Sequence, residues 1–356
     1  MSPAGKSAVK SVARSDVALR WTIFVALVVV GLAYVKWVPY YGRAWFAASH
    51  HSIGSSILTG DSATPPPPSL GAALEYALAY GKAIWKALVL GLLVGSAVQV
   101  LIPSQWIARV LGTVGFRSVA AAGILSVPGM MCTCCAAPVV AGLRARRASA
   151  GAAIAFWLGN PMLNPATLVF LGFVLGWNWS LLRIAFGLLM VFGLGYLADR
   201  LDGFNREPPA AMPREAPDDE AGNVFARWAR LALRMSVRLL PEYAILVLLL
   251  GAARAWLFPQ LGPGIGNELN WIVAMAAAGC LFVIPTAGEV PIVQSMLLLG
   301  AGVGPAAALL VTLPPISAPS MAMLAQSFPL RVLALLAVSI IALGVLASYV
   351  ALGLGF

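Results

Sequence analysis

The sequence predicts an all-α polytopic membrane protein: two pseudo-symmetric repeats, read as inverted, with broken or re-entrant helices, preceded by an extra N-terminal helix. Three observations predict it. Of 356 residues, 60% are hydrophobic and only 10% charged, with a mean hydropathy of +0.89, against about 25% charged residues in a soluble domain. Several apolar stretches are long enough to cross a hydrocarbon core, which takes roughly 20 residues. Across a hydrophilic linker, positions 153 apart carry the same residue: Pro138 and Pro291, Val140 and Val293, Gly151 and Gly304, Pro161 and Pro314.

Taken in order, residues 1–75 hold a basic tail, a first membrane helix at 21–38 and a polar loop at 39–75 with His50, His51 and the stiff run Pro65–Pro68. No small-residue cleavage site follows the first apolar run, so a retained helix is expected. The first repeat, 76–200, has apolar segments at 76–102, 118–143, 149–176 and 179–199. Residues 201–230 carry four prolines and the acidic run Asp218-Asp219-Glu220, the composition of a cytoplasmic linker. The second repeat, 231–356, has segments at 236–258, 271–301, 304–327 and 330–355.

The upstream prolines align differently. Pro128 pairs with Pro285, and Pro103 with Pro259, only if the second copy is about four residues shorter, a deletion falling on a cysteine motif. Read as a hairpin, 118–143 has arms too short to cross alone. Its flanking arginines (Arg109, Arg117, Arg144, Arg146 and Arg147) then share one side with the basic N-terminus and the linker. Each repeat then contributes three spans and one hairpin, and the two copies have opposite orientation. The alternative is a full crossing by 118–143 and 271–301, which puts Arg144, Arg146 and Arg147 opposite Arg109 and Arg117.

Three motifs carry the candidate chemistry. The first is Cys132-Thr133-Cys134-Cys135, set between Pro128 and Pro138 in a stretch without charge. Proline breaks an interior helix, and thiolates select soft, thiophilic species such as copper(I) or zinc. A bent backbone would let Cys132, Cys134 and Cys135 meet one solute or metal. Small residues for close helix packing are the structural alternative. The lone Cys280 reads as a core residue.

The second motif, Asn160-Pro161-Met162-Leu163-Asn164-Pro165, interrupts an apolar run. Asn160 and Asn164 lie four apart and can share a face, either capping freed backbone or binding a solute. Its counterpart around Pro314 keeps the break without the asparagines. The third motif, Pro285-Thr286-Ala287-Gly288-Glu289-Val290-Pro291, holds an acid within an apolar segment. Intramembrane carboxylates pair or carry ions or protons, which makes Glu289 a candidate coupling group with Gln294 as its neighbour. An acid reaching interfacial water is the alternative.

The net charge of +10 lies at the ends of apolar runs, so it signals topology rather than nucleic acid. Both histidines occupy one loop, which leaves no Ser/His/Asp set, and no phosphate-binding loop is present. No enzyme activity and no cofactor are expected.

Together the cysteine turn followed by Ala-Pro-Val-Val-Ala-Gly-Leu-Arg, Asn-Pro-Met-Leu-Asn-Pro at 160–165 and Gly-Glu-Val-Pro-Ile at 288–292 resemble the predicted-permease family that includes the ArsP organoarsenical efflux permeases. The resemblance covers residues 78–355. It implies a membrane permease with Cys132 and Cys134 as arsenic-facing thiols. The family commonly shows Cys-Ser-Cys-Gly, and Cys135 is a departure from that pattern.

The expected function is export of a small thiophilic solute, a trivalent arsenical or soft metal, across a bacterial inner membrane by reversible cysteine ligation coupled to protons. The alternatives are a permease for another solute with redox-sensing cysteines, and a membrane thiol or metal relay. The expected partners are the solute and the lipid bilayer; the sequence does not set the oligomeric state.

Overall fold

The computed structural model describes residues 3–59, 64–202, 223–259 and 261–356. Among them the regular structure is helical, and six helices are long and apolar enough to cross a membrane. Residues 203–222 of the expected linker, with Asp218, Asp219 and Glu220, lie outside the described residues.

Helix α1, Val17–His50, runs well past the expected end at Val38. Pro39 has no N–H for the carbonyl four residues before it, and a π-turn at Ala33–Trp37 absorbs the mismatch, so the helix continues. Beyond it Tyr40 stacks on Phe170 at 5.8 Å. Tyr40 therefore docks a helix where composition suggested a loop.

Helix α2, Leu70–Leu101, is capped by Ser69, whose side chain accepts from Ala72 N. Short α3, Ser104–Val110, leads to α4, Phe116–Ser126. After a break come α5, Thr133–Ala145, and α6, Ala150–Met162. A second break leads to α7, Pro165–Val174, and then α8, Trp177–Leu201. The order recurs beyond residue 223: α9, Val224–Leu257, α10, Leu269–Leu281, α11, Glu289–Leu298, α12, Val303–Thr312, α13, Ala318–Leu324, and α14, Leu330–Gly353. Helix α9 thus starts inside the stretch expected to be linker.

Arms α4 and α5, of 11 and 13 residues, are about 17 and 20 Å long at 1.5 Å per residue, short of a core about 30 Å thick. Their outer ends meet. Ser149 N, just beyond α5, donates to Leu111 O, just before α4, at 2.7 Å. Buried Asp199 of α8 accepts from Gly115 N at 2.9 Å, from Gly151 N at 2.6 Å and from Ser149 Oγ at 3.3 Å. The segment therefore leaves and returns at one end, as a hairpin. Its second-half counterpart closes in the same way: Gly302 N donates to Ile265 O at 2.7 Å and Gly304 N to Asn267 Oδ1 at 2.9 Å.

The spacing between corresponding helices is constant. Phe116 and Leu269, Ala150 and Val303, Pro165 and Ala318, and Trp177 and Leu330 open matching helices, each pair 153 apart. Packing keeps the same offset: Gly159 makes room for the Ser126 hydroxyl, and Gly279 for that of Thr312. The deletion expected at the cysteines is not required, because both hairpins have the same length. The Pro128–Pro285 match is a coincidence of two proline-bearing turns.

Helix α2 packs antiparallel to α9. Tyr76 lies against Gly251, Tyr80 takes a hydrogen bond from Tyr243 at 2.7 Å, and Ser96 takes one from Trp228 at 3.0 Å. The other face of α2 is pressed onto α5. A Cβ on Gly91 would collide with Cys135 O, one on Gly95 with Pro138 O, and one on Gly142 with Gly95 O. Small residues permit such backbone approach between membrane helices.

Candidate functional site

Four interrupted segments meet around one small cavity. It is lined by Cys132 and Thr133 from the first hairpin, Pro161 and Thr167 from the α6–α7 break, Ile284 to Ala287 and Glu289 from the second hairpin, and Leu313 and Pro314. Interrupted helices of this kind build substrate sites in transporters.

The cysteine turn is shaped by Pro128 in a single 3-10 turn, Val127–Gly129, and by Met130 in the left-handed region at φ 49°. Cys132 is extended and caps α5. Its sulfur lines the cavity and lies 3.0 Å from that of Cys135, one helical turn on. Cys134 faces away: its sulfur takes a hydrogen bond from Tyr80 and contacts Ser317 Oγ, each at 3.7 Å. Of the two or three sulfurs expected to meet, Cys132 and Cys135 do, and Cys134 does not join them. Cys134 and Cys135 sit on a regular first turn, which points them apart. Among the described residues no group of three or more His, Cys, Asp or Glu side chains is placed to hold a metal ion. Cys280 is buried alone on α10.

The prolines act in different ways. Pro165 opens α7, while Pro285 and Pro314 lie in the non-helical breaks. Pro138 and Pro161, expected to break helices, lie within α5 and α6, and Pro291 lies in the first turn of α11. Pro161 and Pro291 lie within one turn of a helix end, where the missing N–H costs little, whereas Pro138 sits six residues into α5 and the helix continues through it.

Glu289 is not a lone acid. Its Oε1 is 2.6 Å from Nη1 of Arg183 on α8, and both side chains are buried. Arg183 also repairs the interrupted backbone. Pro165 cannot donate to Pro161 O, nor Pro314 to Leu310 O; Arg183 Nη2 donates to the first at 2.8 Å and Nη1 to the second at 3.4 Å. Its Nε reaches Met162 O at 3.3 Å. One guanidinium thus ties both broken helices to the second hairpin. Gln294, expected beside Glu289, points elsewhere and donates to His51 O at 2.8 Å.

Asn164 caps α7, its Oδ1 accepting from Ala166 N at 3.1 Å and Thr167 N at 3.3 Å. Asn160 Nδ2 donates to Phe156 O at 2.9 Å. Each keeps a buried atom without a partner, Asn164 Nδ2 and Asn160 Oδ1, and so does Thr167 through Oγ1. Such atoms are rare in folded proteins; Thr167 lines the cavity, whereas neither asparagine does, and Asn160 Oδ1 packs against Gly129.

A model of a predicted permease family matches residues 69–352, with the whole of this site inside the match. The chain belongs to that predicted permease family. It is 50% identical to UPF0718 protein YraQ of Escherichia coli (strain K12) over 332 residues, 93% of this chain and 94% of that protein. It is 23% identical to UPF0718 protein MJ0584 of Methanocaldococcus jannaschii over 299 residues, 66% of this chain and 82% of that protein. No solved structure matches. Helix α1 precedes the region covered by the family model.

Four residues of this family member escaped sequence reasoning: Arg183, Lys36, Asp199 and Thr167. Two carried a visible signal. Arg183 is the single charge between Trp177 and Asp199, and Lys36 the single charge between Trp21 and Tyr41. A charge inside a membrane segment is a functional hypothesis by default. Asp199 ends the apolar segment 179–199, where it looks like a boundary charge, and nothing in sequence marks Thr167.

Proposed function

We propose that the chain is an inner-membrane permease that exports a thiophilic solute, a trivalent arsenical or soft metal, by reversible ligation to Cys132 and Cys135. The observation that carries this reading is the Cys132–Cys135 sulfur pair, 3.0 Å apart, whose first member, Cys132, lines a cavity shared by both halves. The second thiol is then Cys135 rather than Cys134. Ligation is an exchange without redox change: each thiol proton leaves with a hydroxide of the arsenical as water, and two As–S bonds replace two As–O bonds.

The two halves act as inverted repeats, a reading supported by the antiparallel packing of α2 and α9. Solute reaches the sulfurs from the cytoplasm. Protonation of Glu289 would remove its attraction for Arg183, loosen the two broken helices that Arg183 holds, and open the outward path.

The test is methylarsenite uptake into everted vesicles. Wild type accumulates it, and the Cys132→Ser/Cys134→Ser/Cys135→Ser variant does not. Equal accumulation by both ends the thiol-ligand mechanism. Uptake insensitive to the pH gradient, or unchanged in Glu289→Gln, ends the coupling role of Glu289.

The same sulfur pair favours a second reading, a redox-sensing dithiol. In that case a mild oxidant removes two protons and two electrons, forms the Cys132–Cys135 bond, and stops transport until a thiol reductant restores it.

A further inference from the structure

Lys36 is a buried cation within a membrane helix, 4% exposed, at the π-turn of α1. Its Nζ donates to Thr286 Oγ1 at 2.9 Å and sits 5.1 Å from the Tyr40 ring centroid. Thr286 is a wall of the cavity, and the Cys132 and Cys135 sulfurs lie within electrostatic reach of the ammonium group. Among the described residues no carboxylate pairs with Lys36. Glu289 is already matched by Arg183, so Lys36 leaves the site with one positive charge in excess.

A charge buried in a bilayer costs several kcal/mol or more unless something offsets it, and here no carboxylate does: Lys36 faces the Thr286 hydroxyl, the Tyr40 ring and the Cys132 and Cys135 sulfurs. The backbone adds to the imbalance. Helices α5 and α11 begin at the cavity and turn positive dipole ends toward it, as does α7, whose first N–H groups are capped by Asn164. Thr167 Oγ1, from a residue 1% exposed, lines the cavity with no partner.

We propose that the cavity is an anion-selecting site. Its solute carries a negative charge as well as a soft, thiol-reactive centre, and Lys36 is the selectivity-determining residue. The proposal deepens the permease reading and rests on it for the soft centre only. It gives α1, which lies outside the family match, a function: it brings the charge that decides which thiophilic solutes enter.

The test uses two small alkylating agents of nearly equal shape, anionic iodoacetate and neutral iodoacetamide. Each forms an S–C bond with Cys132, releasing iodide and the thiol proton. Cys134→Ser/Cys135→Ser/Cys280→Ser leaves Cys132 as the reporting thiol of full-length protein in nanodiscs. The ratio of the two rates reads the field on the reagent, because any change in thiolate fraction affects both alike. The expected ratio exceeds that of free glutathione by about tenfold. It falls to the glutathione value in Lys36→Met and is restored by Lys36→Arg.

A ratio at or below glutathione's in the Lys36 protein overturns the proposal without recourse to a variant. An unchanged ratio in Lys36→Met overturns it too, as does a Cys132 that reacts with neither reagent. The permease reading can fail separately: a chain that keeps the high ratio yet accumulates neither methylarsenite, which is neutral, nor an arylarsenite bearing a carboxylate, which the site favours, has the anion site and lacks the arsenical substrate.

Discussion

Arg183 is the residue on which the site converges. It neutralises Glu289 and feeds donors to two carbonyls that prolines 165 and 314 orphan. Removing one partner of a buried pair leaves an uncompensated charge, at a cost of about 3–5 kcal/mol, whereas replacing both with apolar groups is far milder. Arg183→Met is therefore expected to lower the unfolding midpoint in detergent strongly, and Arg183→Met/Glu289→Leu to recover much of the loss. Equal losses in both would mean that Arg183 works through the carbonyls alone. Among the thiols, Cys132→Ser is expected to abolish methylarsenite uptake and Cys134→Ala to retain it, since Cys134 is turned toward Tyr80. A reversed order would return the ligand role to the pair suggested by the family resemblance.

At the scale of elements, each hairpin depends on a single side chain at its mouth. Asp199 accepts three hydrogen bonds across the mouth of the first hairpin, from Gly115 N at the start of α4 and from Gly151 N and Ser149 Oγ at the start of α6, where a carboxylate also suits the helix dipole. Hydrogen bonds to a charged group contribute about 1.5–3 kcal/mol. Asp199→Ala is thus expected to speed hydrogen exchange across α4 and α5 while leaving α10 and α11, closed by Asn267, unchanged. Uniform acceleration in both hairpins would show one cooperative unit instead. Helix α2 holds the cysteine arm from behind through backbone contact, and Gly95→Leu has nowhere to place its side chain. Overpacking a tight contact costs about 1–3 kcal/mol or more, read as reduced yield of monodisperse protein and loss of the Cys132–Cys135 proximity in crosslinking.

Across the whole molecule, the two hairpins should open toward opposite faces. Both ends of the first hairpin, Thr113 and Arg147, should label from one side of sealed vesicles when replaced by cysteine in an otherwise cysteine-free chain. Both ends of the second, Glu268 and Leu298, should label from the other. Labelling of Thr113→Cys and Arg147→Cys from opposite sides would require the hairpin to cross, against the Ser149–Leu111 closure.

The membrane class, most of the helical segments, the breaks around Pro165 and Pro314 and the offset of 153 from Pro138 onward are legible in the chain, because hydropathy and proline act locally. Pro165 orphans the same carbonyl wherever α7 goes. Local patterns mislead at Pro39, where a π-turn carries the helix through, and at Pro128, whose match to Pro285 suggested a deletion the packing does not need. What only the tertiary structure decides is which groups meet. Arg183 and Glu289 are far apart in sequence, as are Lys36 and Thr286 and the two sulfur-bearing faces of α5 and their partners. Burial obliges a charge to find a counterpart, but it does not say which. That choice rests on the packing of α8 against the broken helices and of α1 against the second hairpin, contacts that no local pattern encodes.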